Sequence, residues 1–187
     1  MLDKMKKIVI TGHTSGIGKS IHDKLSKEKY DVVGLSRSNG FDLKSKEGYA
    51  HFVNAIEDAD IFINNAYHEW AQVDLLYLIY EKWQHTNKTI INISSVTGDS
   101  SKKHIHQYQI HKLALDNACM QLQPLGKCKV INIKPGWVDT NFNPNKSIPK
   151  EIEILQPEKI AELVEYVLNQ PNQVFVKSIS IEPWYND

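Results

Sequence analysis

Short apolar runs alternate along the chain with longer segments in which apolar residues recur every three or four positions. The short runs predict strands, and the longer segments predict amphipathic helices, of which the first carries Ile17, Ile21 and Leu25 on one face. The predicted strands cover residues 7–11, 32–36, 60–64, 89–94, 129–134 and 174–181. The predicted helices begin near residue 16 and after Ser45, and cover residues 73–83, 108–122 and 157–168.

The alternation of strands and helices indicates the α/β class, with parallel strands joined by helical crossovers. Residues 61–63 are all apolar, as in strands that are buried on both faces. A length of 187 residues with 41% apolar side chains suits one core of ordinary size. We therefore expect a single domain built on a doubly wound parallel sheet.

Charge and cysteine content argue against several function classes. The 22 basic and 22 acidic residues give no net charge, which argues against a broad nucleic-acid surface. No apolar run has the length of a signal peptide core or of a membrane span, so we expect a cytoplasmic protein with no membrane partner. Cys119 and Cys128 have the spacing of neither a zinc knuckle nor a CxxC pair, so we expect reduced thiols and no metal.

A glycine-rich loop joins the first strand to the first helix. Its glycines allow a phosphate to approach the backbone, and the helix N-terminus adds free N–H groups and partial positive charge. The Gly18-Lys19-Ser20 end resembles a P-loop, but that motif requires glycine where His13 stands. The spacing fits a dinucleotide-binding loop better, and a tight turn without a ligand is the structural alternative. The candidate binding residues are Gly12, Thr14, Ser15, Gly16, Ile17 and Gly18.

Tyr108 and Lys112 are separated by one helical turn, so their side chains can point into one pocket. A nearby ammonium favours the phenolate and lowers the pKa of a tyrosine, which makes the pair a candidate proton relay. Ser95 lies 13 residues earlier, at the carboxyl end of a predicted strand, where α/β sheets bind ligands.

Two further motifs follow predicted strands, Asn64-Asn65-Ala66 and the segment from Asn132 to Thr140. With the glycine loop, Ser95 and the Tyr108–Lys112 pair, they make the sequence resemble the short-chain dehydrogenase/reductase family over about residues 5–181. The motifs are T-G-x-x-x-G-I-G, N-N-A, I-S-S, Y-x-x-x-K and N-x-x-P-G-x-V-x-T, in the family's order. The resemblance implies a Rossmann-like fold and an NAD(P)-dependent enzyme that acts on a carbonyl or alcohol of small size.

The resemblance also implies residue roles. Tyr108 would exchange a proton with the substrate oxygen, and Ser95 would hydrogen-bond that oxygen. Lys112 would lower the pKa of Tyr108 and hold the nicotinamide ribose. Further cofactor-binding residues implied by the motifs are Asn65, Ala66, Pro135, Gly136, Val138 and Thr140.

The end of the second strand bears on the choice of dinucleotide. Ser36 stands where NAD-type members have an acidic residue, and Arg37, the only arginine of the chain, follows it. A guanidinium suits the 2′-phosphate of NADP, so we expect NADP(H) rather than NAD(H). Asp42 matches the family aspartate that contacts adenine.

The sequence departs from the family pattern in three places. Between Arg37 and Asp42 there is no room for the usual helix, so we expect a fold shortened around the second and third strands. Tyr67 stands where the family has glycine, and would either crowd the cofactor or stack beside it. Asp74 replaces the family's fourth catalytic residue, an asparagine, and would either support a water relay to Lys112 or serve only in the first turn of its helix.

The segment 141–156, expected to cover the substrate, is short and offers an apolar wall of Phe142, Ile148, Ile154 and Leu155. Such a pocket is either open or completed by a partner subunit. The helix 108–122 has apolar residues on more than one face, which predicts a homodimer or homotetramer. We interpret His104 and His106 as part of a solvated loop and His111 as a residue packed against a neighbouring helix. A metal site formed by the three histidines is the alternative.

The sequence thus predicts an NADP(H)-dependent oxidoreductase that interconverts a carbonyl and an alcohol. The alternative is an NADP(H)-binding sensor or partner-binding module without turnover, which the three departures favour.

Overall fold

The computed structural model describes residues 5–42, 45–99, 106–142 and 153–184. Within these residues, six strands alternate with five α-helices. The strands are β1 (Lys6–Thr11), β2 (Tyr30–Leu35), β3 (Ile61–Asn64), β4 (Thr89–Ile93), β5 (Lys129–Pro135) and β6 (Ser178–Ile181). The helices are α1 (Gly16–Leu25), α2 (Lys46–Ile56), α3 (Ala71–Trp83), α4 (Gln107–Leu122) and α5 (Pro157–Leu168).

The strands form one sheet in the order β2-β1-β3-β4-β5-β6, and every neighbouring pair is parallel. The chain therefore reverses its direction of winding between β1 and β3, and the carboxyl ends of these strands flank a topological switch point. The familiar dinucleotide-binding order is 3-2-1-4-5-6, with a strand outside the second one. In the described part of this chain β2 is itself the edge, which confirms the predicted shortening.

Helices cover both faces of the sheet. Alternate strand residues face opposite sides, so Val9 packs in a core with α2, α3 and α4, while Ile8 and Ile10 pack in a second core with α1 and α5. All four residues of β3 are buried, as the continuous apolar run predicts. These two cores confirm the doubly wound α/β class.

Local signals place the helix starts. The Ser45 hydroxyl accepts a hydrogen bond from the backbone N–H of Gly48 at 2.9 Å, which is an N-cap of α2 as predicted. Pro157 opens α5, where its missing N–H costs no helical hydrogen bond. Both cysteines are buried free thiols.

The last strand differs from the sequence-based expectation. It is shorter than predicted, because Val174 N–H donates to Pro171 O in a turn and β6 begins only at Ser178. Among the described helices, none has the length and apolar character needed to cross a bilayer.

Candidate active site

The carboxyl ends of β1, β3, β4 and β5 lie along one edge of the sheet and carry the predicted motifs to it. The glycine loop follows β1, Asn65 follows β3, and Ser95 follows β4. The segment that contains Thr140 follows β5. One edge beside the switch point thus brings together motifs that are up to 129 positions apart in the sequence.

Backbone shape and close packing require glycine in the loop after β1. Gly12 has a φ of +74°, in the left-handed region that favours glycine. A Cβ on Gly18 would lie 2.1 Å from the carbonyl oxygen of Gly12, so α1 packs directly against the turn. The first N–H groups of α1 have no helical acceptor and face the same edge, where an anion would be stabilised.

Asn65 and Thr11 brace this loop. The Thr11 hydroxyl accepts hydrogen bonds from the backbone N–H groups of Asn65 and Ala66, both at 3.0 Å. In return, Nδ2 of Asn65 donates to the carbonyl of Thr11 at 2.9 Å and to that of Gly12 at 3.3 Å. The structure therefore places Asn65 and Ala66 behind the glycine loop. The bracing role of the buried Thr11 was not foreseen.

The segment after β5 closes the other side of the glycine loop. Gly136 N–H donates to the carbonyl of Ile181 at 2.7 Å, and Val138 forms a parallel bridge with Leu155. The chain then reaches α1, because a Cβ on Gly16 would lie 3.1 Å from Cγ2 of Thr140. The segment that leads from β5 to the glycine loop therefore contains Pro135, Gly136, Val138 and Thr140.

A short turn follows β2. Ser36 is buried, and its backbone N–H donates to Oδ1 of Asn39 at 2.7 Å. Arg37 is exposed and begins a single 3-10 turn that ends before Gly40. The turn places Arg37 just after the carboxyl end of β2, and Asp42 follows the turn and precedes α2.

Ser95 and Tyr108 meet where β4 ends and α4 begins. The Ser95 hydroxyl donates to the carbonyl of Pro135 at 3.4 Å and accepts from the backbone N–H of Thr97 at 3.2 Å. Burial raises the pKa of Tyr108 to about 12, and a hydrogen bond with the Ser95 side chain acts in the opposite direction. Tyr108 therefore holds its proton at neutral pH.

Lys112 is buried below Tyr108. Its Nζ donates to Oε1 of Gln72 at 2.7 Å and to the carbonyl of Ile93 at 2.8 Å, and lies 5.4 Å from the centre of the Tyr108 ring. Burial lowers the pKa of Lys112 to about 7. The expected lowering of the Tyr108 pKa by Lys112 does not appear, because desolvation of the phenol dominates.

The side chain that α3 offers to Lys112 is Gln72, and sequence reasoning missed it. Asp74 lies exposed in the first turn of α3. The signal for Gln72 was present in the sequence, because it shares the buried stripe i, i+3, i+4, i+7 with Leu75, Leu76 and Ile79. A polar residue on such a stripe has a hydrogen-bonding reason to be there.

Tyr67 stacks beside the predicted catalytic pair. Its ring meets that of Tyr108 edge-on, with the centres 4.8 Å apart, and Nζ of Lys112 lies 5.5 Å from its centre. The Tyr67 hydroxyl is hydrogen-bonded to Nδ1 of His111 at 2.8 Å. His111 packs against Trp70 just before α3, in agreement with the interpretation of His111 as a packed residue. The ring of Tyr67 therefore forms a wall of the site.

The apolar wall expected from segment 141–156 is described in part. Phe142 is exposed, and its ring centre lies 5.7 Å from those of both Tyr67 and Tyr108. Leu155 packs against the α1/α5 core, and Ile148 lies outside the described residues. His104, of the metal alternative, also lies outside them. Within the described part of the chain, no three His, Cys, Asp or Glu side chains are grouped as a metal site.

Comparison with known proteins gives one relative and two solved structures of note. No family model matches the chain. An uncharacterised oxidoreductase of Staphylococcus epidermidis is 27% identical over 230 aligned positions, which cover 96% of this chain and 98% of the relative. Because 230 positions exceed the 187 residues of the chain, the alignment places gaps in it, in agreement with its shortened fold.

Both solved structures match almost the whole chain. A 4-hydroxyisoleucine dehydrogenase complexed with NADH has a TM-score of 0.79 and 20% identity, with 95% of this chain and 96% of that chain covered. A short chain dehydrogenase from Burkholderia cenocepacia in complex with NADP has a TM-score of 0.76 and 17% identity, with 96% and 89% covered. The predicted resemblance to the short-chain dehydrogenases is thereby confirmed, and the chain has their fold.

Proposed function

We propose that this chain, which has the short-chain dehydrogenase fold, is an NADP(H)-dependent oxidoreductase that interconverts a carbonyl and an alcohol by hydride transfer. The observation that carries the proposal is the meeting of Ser95, Tyr108 and Lys112 beside the glycine loop. Their geometry suits a carbonyl oxygen that receives hydrogen bonds from two hydroxyl groups, next to a cation.

The geometry of the glycine loop supports a bound dinucleotide. The space that a Cβ would fill at Gly12, Gly16 and Gly18 is already tight, so the backbone itself would face the pyrophosphate. At the end of β2, no acidic side chain precedes Arg37, whose exposed guanidinium suits the 2′-phosphate of NADP(H). NADP(H) is therefore the proposed cofactor, ahead of NAD(H).

The protonation states favour carbonyl reduction. When bound, the dinucleotide would supply the hydride that forms the C–H bond at the carbonyl carbon. Tyr108 donates its proton to the carbonyl oxygen while Ser95 hydrogen-bonds the same oxygen, so the product is the alcohol and Tyr108 is left as phenolate. The Lys112 ammonium, 5.4 Å from the ring centre, stabilises that phenolate until solvent returns the proton.

The proposed surroundings of the enzyme follow from its surface. Leu113 and Met120 of α4 are exposed, which supports pairing with a second copy into a homodimer or homotetramer. Leu115, Ala118 and Leu122, which are also among the apolar residues of helix 108–122, belong to the core instead. The two free thiols support a cytoplasmic location for the single domain.

Titration with NADPH and NADH tests the cofactor part of the proposal. We expect Arg37→Ala to weaken NADPH binding about tenfold or more, the effect of losing one charge-assisted phosphate contact, and to leave NADH binding unchanged. Lys6→Ala is the matched control, since Lys6 is exposed at the opposite edge of the sheet. Equal losses for Arg37→Ala with both dinucleotides would contradict the assignment to NADP(H).

Turnover tests the chemical part. With NADPH and a panel of aldehydes and ketones, Tyr108→Phe should abolish carbonyl reduction and preserve NADPH binding, because only the reacting hydroxyl is removed. Retained turnover in this variant would contradict the role of Tyr108.

A module that binds NADP(H) without turnover is the second candidate. It is favoured by the engagement of two Lys112 donors by Gln72 and Ile93, and by the Tyr67 ring beside the lysine. This alternative predicts tight NADPH binding in the wild type and in Tyr108→Phe alike, with no carbonyl reduced by either.

A further inference from the structure

The side-chain amide of Gln72 is buried beside Lys112, and both its nitrogen and its oxygen are hydrogen-bonded. It is only 3% exposed, although it is polar and stands on the apolar stripe of α3. Its Nε2 donates to the carbonyls of Asn64 at 2.8 Å and Ile93 at 3.1 Å. Because two carbonyl oxygens surround Nε2, the amide can turn only Oε1 towards Lys112, which donates to it at 2.7 Å.

The backbone of Gln72 is fixed as firmly as its side chain. Nδ2 of Asn64 donates to the carbonyl of Gln72 at 2.8 Å and to Oδ1 of Asn92 at 2.9 Å. Asn64 ends β3 and Asn92 lies opposite it in β4. The first turn of α3 is therefore tied to two strands of the sheet, and the amide that faces Lys112 has a rigid support.

We propose that Gln72 is a positioning residue, whose Oε1 holds the Lys112 ammonium beside Tyr108 and favours its charged form without neutralising it. The inference rests on the proposed function, in which that charge stabilises the phenolate of Tyr108. Support of Lys112 is thereby assigned to the side chain of Gln72, whereas the family resemblance offered Asp74 for a relay to that lysine.

The other groups around Lys112 show why a neutral acceptor matters. Tyr67 and Tyr108 present their rings to Nζ, and Asp116 and Cys119 act on it from α4. Burial favours the uncharged amine, and the charge on Asp116 opposes that effect. A hydrogen bond accepted from the ammonium also stabilises the charged form, and an amide does so without adding a second negative charge.

Replacement by methionine separates the two roles of this amide. Gln72→Met keeps most of the side-chain volume and removes the acceptor, so the charged form of Lys112 loses one strong hydrogen bond. We expect the pKa of Lys112 to fall by about one to two units, the size of a hydrogen bond to a charged group. The measurement is NMR titration of protein with ¹³C-labelled lysine side chains, with the Lys112 signal assigned by its loss in Lys112→Met.

The control is Gln121→Met, the same change at an exposed site on α4. Both variants are compared with the wild type for thermal unfolding, so that a misfolded protein is recognised before titration. If Gln72→Met proves unfolded, the shorter amide of Gln72→Asn replaces it, with the same expected direction. A folded variant with an unchanged Lys112 titration would overturn the proposal.

Carbonyl reduction gives a second readout that a purely structural role would not move. The rate of Gln72→Met relative to wild type should fall further at pH 8 than at pH 6, because its Lys112 loses charge at a lower pH. An equal loss at both pH values would contradict positioning through charge. If no carbonyl is reduced but the Lys112 titration shifts, the proposed function fails while the support of Lys112 by Gln72 stands.

Discussion

The hydroxyl of Tyr67 is hydrogen-bonded to Nδ1 of His111 at 2.8 Å, so the loop after β3 is joined to the helix that carries Tyr108 and Lys112. His111 is buried and is also held by the ring of Trp70, at 4.6 Å between centres. The residue that departs from the family's glycine is thus part of the support of α4, and its ring forms one wall of the site.

Tyr67→Phe should destabilise the fold. The substitution keeps the ring contact with Tyr108 and leaves a buried nitrogen of His111 without its partner, which costs about 1–3 kcal/mol. Urea unfolding measures the change in free energy. Tyr77→Phe is the matched control, because the Tyr77 hydroxyl bonds to Gln121 in an exposed position, and its removal should cost less than about 0.5 kcal/mol. Equal losses would show that the Tyr67–His111 bond lacks this role.

Lys112 should make the stability of the fold depend on pH. Burial lowers its pKa to about 7 from the ordinary lysine value of 10.5. Between these values the unfolded chain binds a proton that the folded chain does not, so the free energy of unfolding rises with pH in this window. The stabilisation is complete above pH 10.5 and is lost as pH falls through 7.

We expect the difference in unfolding free energy between wild type and Lys112→Met to change by about 2 kcal/mol from pH 7 to pH 9, in favour of the wild type at the higher pH. Urea unfolding at both pH values measures it. Lys127→Met, at an exposed position, should keep the pH dependence of the wild type. A constant difference between wild type and Lys112→Met would show that Lys112 is charged in the folded protein throughout this range.

Asp116 should be needed to hold α4 against β4 and β5. Its Oδ1 accepts from the Ser94 hydroxyl at 2.5 Å and from Nδ2 of Asn132 at 2.8 Å, and its Oδ2 lies 3.2 Å from Nζ of Lys134. Asp116→Asn removes a buried charge and turns an N–H group towards that ammonium. We expect a loss of about 1–3 kcal/mol in the free energy of unfolding, measured with urea.

The exposed pair of Asp23 with Lys19 provides the comparison. Asp23→Asn should change stability by no more than about 0.5 kcal/mol, because solvent screens such pairs. Asp116→Asn with an equally small effect would mean that Asn132 and Ser94 find other partners without strain.

Sequence reasoning was most accurate where a residue's own backbone or helix decides its place. Gly12 and Gly18 predict a tight turn, in which the structure leaves no room for a side chain at either position. Tyr108 and Lys112 are neighbours because four residues make about one helical turn. The α/β class with parallel strands followed from the alternation of apolar runs and helices. The shortening appeared in the sequence as too few residues between Arg37 and Asp42.

Contacts between distant segments were harder to foresee. Gln72 reaches Lys112 across 40 positions, and nothing local to either residue specifies that the two helices meet there. The pKa of Tyr108 was also hard to foresee. The spacing of Tyr108 and Lys112 predicts a lowered pKa, but burial of the phenol in the folded site raises it. The start of β6 was misplaced because Val174 belongs to a turn despite its strand propensity.

Substitutions at Gly18 and Ser20 distinguish a P-loop from a dinucleotide-binding loop after β1. A P-loop uses the hydroxyl after its lysine for a metal-bound phosphate, but the Ser20 hydroxyl here donates to Glu158 of α5 at 2.9 Å. Ser20→Ala should therefore leave dinucleotide binding unchanged. A P-loop would instead lose nucleotide binding with that hydroxyl.

Gly18→Ala should have the opposite result. The added Cβ would lie 2.1 Å from the backbone oxygen of Gly12, so α1 must move away from the turn, at a cost of about 1–3 kcal/mol. The same movement displaces the helix N-terminus that the pyrophosphate would face, so we expect NADPH affinity to fall at least about tenfold. Calorimetric titration of both variants with NADPH measures the effect. Unchanged binding by folded Gly18→Ala would show that the dinucleotide does not lie against this turn, since no flexible side chain is present there to absorb the overlap.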